Sequence, residues 1–320
     1  MRLPPALTLA VLAASLAPPV LADDPASRPL PLDRRGRAIV VCGEKVDIGT
    51  PVILWTDPGG HDAYAPKAKP AADKKAGSPG FRARRGDLPA AEQERLRKDG
   101  WTRPALEQVV DQFVLHYDVC GTSGKCFEVL HERDLAVHFM LDLDGTIYQT
   151  LDLKEAAFHA TKANDRSIGI EIANMGAYPV AELGKSPLAT WYAKGPDGTT
   201  QIRLPRGHSV PTRAADAPPL APSRPEPVVG TVQGQELAMY DLTAEQYAAL
   251  AKLTAGLCRT FPKIHPDLPR DAQGKVLDHK LDDPAYNQYQ GILGHFHVQQ
   301  NKTDPGPAFR WDAVLHPPRP

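Results

Sequence analysis

The alternation in Ser167-Ile168-Gly169-Ile170-Glu171-Ile172-Ala173-Asn174 constrains this chain more than any other stretch. Successive side chains of a strand point to opposite faces, so Ile168, Ile170 and Ile172 share one face and Glu171 takes the other. Three β-branched residues require an apolar layer on their side. Glu171 is then carried on a rigid element and aimed away from that layer, either toward a site or, as on any solvated strand face, toward water.

The same period recurs nearby. In Phe113-Val114-Leu115-His116-Tyr117-Asp118, His116 shares a face with Val114 and opposes Leu115 and Tyr117. Residues 138–143 and 146–151 flank Asp144-Gly145, a strong hairpin signal. Helical signals lie between the strands. Thr102-Arg103-Pro104 opens one helix, a second covers Glu128 to Leu135, and Thr243 with Gln246 forms a capping box. From there Leu250, Leu253 and Leu257 line one face until Pro262. Mixed helices and strands over about two hundred residues predict an α/β domain with a mixed central β-sheet flanked by helices.

Outside that domain the chain reads differently. Residues 1–22 have the charged start, apolar core and small-residue end of an export signal, which predicts a periplasmic or extracellular protein. Residues 23–95 form an N-terminal extension. Within it Ala38 to Cys42 and Pro51 to Trp55 read as two strands that could pair, and 57–90 as a basic loop or linker. That loop is either solvated or in contact with an anionic polymer. The main domain is expected over 96–316, interrupted by an irregular insertion at 176–236 in which Pro211 to Pro227 should build no core. A net charge of -1 gives no global attraction to nucleic acid or acidic membranes. No membrane span is expected, and a monomer is.

Cys120 and Cys126 enclose a short loop that could close as a disulfide or serve as a metal pair, while Cys42 and Cys258 could form a second bridge. The run from Gly294 to Pro307 concentrates His295, His297, Lys302 and Asp304 before a Pro-Gly-Pro turn. Zinc takes imidazole nitrogen and carboxylate oxygen, and a catalytic zinc keeps three protein ligands. Structural histidines are the other reading of this run.

In order, Val114-Leu115-His116, His138 to Asp142 with Asp144 to Gln149, Phe158-His159-Ala160, Ser167 to Glu171, and Gly294-His295 with Lys302 to Phe309 resemble the zinc-dependent N-acetylmuramoyl-L-alanine amidases. That family includes the peptidoglycan recognition proteins, and the likeness runs from about residue 110 to 311. It implies Zn2+ held by His116, His295 and Asp304, with Glu171 as the catalytic glutamate. It implies further that Lys302 stabilises the tetrahedral intermediate and that His159 lies in the substrate cleft. The implied reaction is hydrolysis of the amide between N-acetylmuramic acid and L-alanine in peptidoglycan. A non-catalytic peptidoglycan-binding module of the same fold is the alternative, and a zinc peptidase acting on the stem peptide a third reading.

The sequence departs from the pattern in two places. Val137 stands where members lacking the glutamate carry tyrosine, so chemistry should run through Glu171. The short spacing from His295 to Asp304 leaves His297 as a rival ligand, on the reading that both histidines lie on one strand face. Cys120 and Cys126 echo a disulfide common in the recognition proteins.

Overall fold

The computed structural model describes residues 36–66 and 79–315. The expected export signal, Lys67, Lys69, Lys74, Lys75 and His316 lie outside the described residues. Six strands form the central sheet, in the spatial order Gly291–Gly294, Gln112–Tyr117, Ser167–Ile172, Phe139–Leu141, Ile147–Gln149 and Val52–Leu54. The first four run parallel to one another in succession, and only the Asp144-Gly145 hairpin is antiparallel. The sheet is therefore mixed, as expected.

The apolar face of the Ser167–Ile172 strand sets the register. Ile168, Ile170 and Ile172 are buried in one cluster with Leu250, Leu253 and Leu257 of the helix Ala244–Thr260. Burying one such side chain is worth roughly 1.5–3 kcal/mol, and a one-residue slip would exchange all three for Glu171. The helix begins where the capping box placed it, with Gln246 N–H donating to Thr243 Oγ1 at 3.1 Å. At Arg103–Val109 a shorter helix follows Thr102, as expected.

Several expectations shift. The helix expected at Glu128 to Leu135 spans Ser123–Glu132. The strands near residues 38 and 52 do not pair with each other. Ala38–Val41 turns back on Glu44–Asp47, while Val52–Leu54 joins the central sheet parallel to Ile147–Gln149. Within the region read as linker, Phe81–Ala83 pairs with Glu155–Ala157. The 176–236 insertion is more ordered than its composition suggested. Its Tyr178–Pro179 and Val228–Val232 flank Gln235–Met239, and Leu188, Trp191, Ile202, Val210 and Leu220 bury in a second cluster with Leu143, Ala173 and Met175. Strands of two to five residues are too short to display a period, so the sequence carried little sign of them.

Arg84 anchors the N-terminal segment. It is buried, and its guanidinium donates to the carbonyls of Asn164, Asp165 and Ser167 through one nitrogen and of Leu153 and Glu155 through the other, at 2.6–3.2 Å. Those carbonyls flank the hairpin and the start of the Glu171 strand. Burial pulls its pKa down to about 10, so Arg84 remains charged at neutral pH. Removing it would strand several buried acceptors, each costing about 1–3 kcal/mol. Arg84→Ala is accordingly expected to lower the unfolding free energy by on the order of 3–5 kcal/mol, against less than about 0.5 kcal/mol for Arg85→Ala on the exposed side. Denaturant melts of the two variants check this, and equal effects would contradict it.

Candidate metal centre

Three parallel strands deliver the site at their C-terminal ends. His116 lies directly opposite Glu171 in the register of Gln112–Tyr117 against Ser167–Ile172. On the other side Gly294 pairs with Leu115, so His295 follows at the level of His116. The chain does not continue there as a strand: His295–Val298 is a helical turn. A Cβ on Gly294 would lie 2.7 Å from Pro305 Cδ, so glycine here lets the Asp304-Pro305 segment close over the turn. Phe296 N–H donates to the Asp304 carbonyl at 3.2 Å, and Tyr117 Oη meets Thr303 Oγ1 at 2.5 Å. Asp304 is thus pinned from two sides.

His116, His295 and Asp304 are all buried, and their donor atoms converge. His116 Nδ1 is 2.9 Å from His295 Nδ1 and 2.9 Å from Asp304 Oδ2, and His295 Nδ1 is 3.0 Å from the same oxygen. Donors this close can share one ion with bonds of about 2 Å, and two imidazoles with a carboxylate are a zinc-type set. The implied Zn2+ therefore fits the residues present. Burial, reinforced by the charge of His295, pulls the His116 pKa down to about 4, so its imidazole is neutral and free to ligate. Burial alone would push the Asp304 carboxyl up, but the two imidazoles together hold it well below the usual carboxylate range.

The nitrogens turned away from the donor triangle are also engaged. His295 Nε2 lies 2.6 Å from Gln299 Oε1, and His116 Nε2 lies 3.0 Å from His159 Nδ1. Gln299, one helical turn after His295, was not picked out from the sequence. Its i,i+4 spacing was the available signal, hidden because the run read as a strand. His297 is not a ligand. Its Nδ1 accepts from Gly294 N–H at 2.9 Å and its Nε2 donates to the Leu277 carbonyl at 2.8 Å. The helical turn places His297 away from His295, which overturns the common strand face expected of the pair.

A cleft of about 550 Å³ opens on the centre, lined by His116, His159, Glu171, His295, Lys302 and Asp304 among others. All six site residues expected from the sequence therefore meet in one place. Burial pushes the Glu171 carboxyl well above its usual range, helped by the charges of Asp304 and Asp118, while Lys302 opposes the shift. Its Oε2 has no partner among the described residues. Glu171 is a cleft-lining carboxylate with raised proton affinity and one unpartnered oxygen. Asp118 and Asp142 accept backbone N–H groups of neighbouring segments rather than bonding to the ligand imidazoles. All four cysteines are free thiols, with Cys120 and Cys126 both lining the cleft, so neither expected bridge is formed.

Residues 106–218 match the family model described as N-acetylmuramoyl-L-alanine amidase. His116, His159 and Glu171 fall inside that span, whereas His295 and Asp304 fall beyond it. No curated protein matches the sequence. Among solved structures, a selenomethionine derivative of AmpD is 16% identical, with 79% of this chain and 95% of that one covered and a TM-score of 0.33. AmiD from E. coli, solved with the substrate anhydro-N-acetylmuramic acid-L-Ala-D-gamma-Glu-L-Lys, is 16% identical over 73% of this chain and 64% of its own, with a TM-score of 0.35. A mutant of Drosophila PGRP-LB in complex with tracheal cytotoxin is 15% identical over 80% and 88%, with a TM-score of 0.32.

Zinc at 100 times its Kd is expected to add about 2.7 kcal/mol to the unfolding free energy. His295→Ala and Asp304→Asn should abolish that gain. His297→Ala should lower the starting stability and keep it. Chemical denaturation with and without zinc makes the comparison, and a gain that survives loss of His295 and Asp304 would refute the donor set.

Proposed function

We propose that this chain, whose residues 106–218 match the N-acetylmuramoyl-L-alanine amidase family model, hydrolyses the amide joining N-acetylmuramic acid to L-alanine in peptidoglycan. One observation carries the reading. Two imidazoles and a carboxylate converge within 4.8 Å of one another at the mouth of a cleft, with Glu171 one strand away and in register with His116.

His116, His295 and Asp304 would hold the Zn2+. When bound, it supplies Lewis-acid polarisation of the scissile carbonyl and a lowered pKa for water. The remaining chemistry belongs to the chain's own side chains. Glu171 has an unpartnered oxygen and raised proton affinity, which suits a group that takes a proton and gives it up again. It takes the proton of the attacking water as the new C–O bond forms. It then delivers that proton to the departing nitrogen of L-alanine as the C–N bond breaks. Lys302, in the same cleft wall, contributes positive charge where the carbonyl oxygen becomes negative. The protein dipoles and charges are fixed before substrate arrives, so little reorganisation is needed during reaction.

The reading is tested by mass spectrometry of muropeptides after digestion. Purified protein should release intact stem peptides beginning at L-alanine, and chelation should stop the release. Glu171→Gln is expected to lower kcat by about 10²–10⁴-fold with little change in KM. Cleavage within the stem peptide, or full activity in Glu171→Gln, would contradict the proposal.

A further inference from the structure

We propose that His159 is a positioning residue for His116, holding that ligand in its metal-binding orientation, and does not hydrogen-bond substrate through its ring. The inference rests on the metal reading above, but not on the identity of the substrate.

The hydrogen-bond chain has a defined direction. With His116 Nδ1 turned to the donor triangle, its proton sits on Nε2, 3.0 Å from His159 Nδ1. His159 Nδ1 must then be the acceptor, which leaves the His159 proton on Nε2, and that nitrogen lies 3.2 Å from Ser167 Oγ. Both ring nitrogens are therefore occupied, one by the ligand and one by a buried hydroxyl. The imidazole lines the cleft with both ring nitrogens already engaged by protein groups.

The seat of the ring is built for this position. A Cβ on Gly169 would stand 2.5–2.8 Å from three atoms of the His159 ring, so the ring occupies space that only glycine leaves open. His138 stands edge-on behind it, with ring centroids 5.8 Å apart. His138 is itself fixed, accepting from Gly169 N–H at 3.1 Å. The backbone of His159 is also held, since Asn164 Oδ1 accepts the N–H groups of both His159 and Ala160 at 3.2 and 2.7 Å. A side chain meant to adapt to a mobile glycan or peptide would not need a rigid seat and two committed nitrogens. A ligand-orienting partner does need them.

The acceptor chosen also has an electrostatic consequence. His159 and Gln299 are neutral acceptors for the two ligand imidazoles. Carboxylates in those places would draw the Nε2 protons and pass more negative charge to the metal. With Asp304 already supplying one full negative charge, neutral partners orient the rings and preserve the ion's Lewis acidity.

The test compares His159→Phe, which keeps a ring but has no acceptor, with His159→Asn, whose side-chain oxygen can stand near the original Nδ1. Zinc affinity of each full-length protein is measured by competition with a chromophoric chelator, without substrate. His159→Phe should bind zinc about 10–100-fold more weakly, and His159→Asn should recover most of the loss. At saturating zinc, KM for muropeptide should be unchanged in both. Unchanged zinc affinity in His159→Phe with a raised KM would overturn the proposal, as would equal losses in the Phe and Asn variants. If His159→Phe does not fold, Ser167→Ala removes only the far anchor and should still weaken zinc measurably; normal affinity there would count against the chain. If the wild type binds zinc through His116 yet releases no stem peptide, the proposed reaction fails and the positioning role is still decided by the affinities.

Discussion

The parallel pairing of Gln112–Tyr117 with Ser167–Ile172 on one side and Gly291–Gly294 on the other is the constraint on which the site depends. Parallel strands end together, so residues far apart in sequence reach one edge of the sheet at the same height. His116 and Glu171 face each other across that pairing, and His295 arrives one step beyond Gly294. The apolar face of the Ser167–Ile172 strand fixes the register, because a one-residue slip would put Glu171 where its isoleucines pack. Core packing and the geometry of the site are two faces of one arrangement.

Electrostatics completes it. Three acidic side chains, Asp118, Glu171 and Asp304, line a cleft that also holds several imidazoles. Burial raises the proton affinity of Asp118 to about 7 and that of Glu171 well above its usual range, while the imidazoles hold Asp304 ionised. Neighbouring carboxylates in one low-dielectric space are thereby shifted in opposite directions. One is fit to coordinate a cation and another to carry a proton.

Much of this was legible in the sequence, for a physical reason. His116 and Glu171 lie on strands whose alternation shows at short range, whereas His159, His295, Lys302 and Asp304 were placed by the resemblance of their local motifs to a family pattern. The helix Ala244–Thr260 was equally plain, since its capping box is a four-residue signal. Other features depended on contacts between distant segments. Nothing near Arg84 announces that it will meet carbonyls some 70–80 residues away, and nothing near Val52 marks it as the edge of the central sheet. The turn at His295–Val298 was misread because four residues are too few to distinguish a strand from a helical turn, and that misreading kept His297 in contention and hid Gln299. The small core inside the proline-rich insertion went unseen because it is assembled from elements too short to show a period.

The central claim is that one ion is shared by two imidazole nitrogens and one carboxylate oxygen at the end of the His116 strand. X-ray absorption at the zinc edge of the reconstituted protein tests it most directly. The expected first shell is nitrogen and oxygen only, at about 2.0–2.2 Å, with no sulfur. A scattering shell near ~2.3 Å would place zinc on thiolate sulfur, with Cys120 and Cys126 as the nearest candidates, and would contradict it.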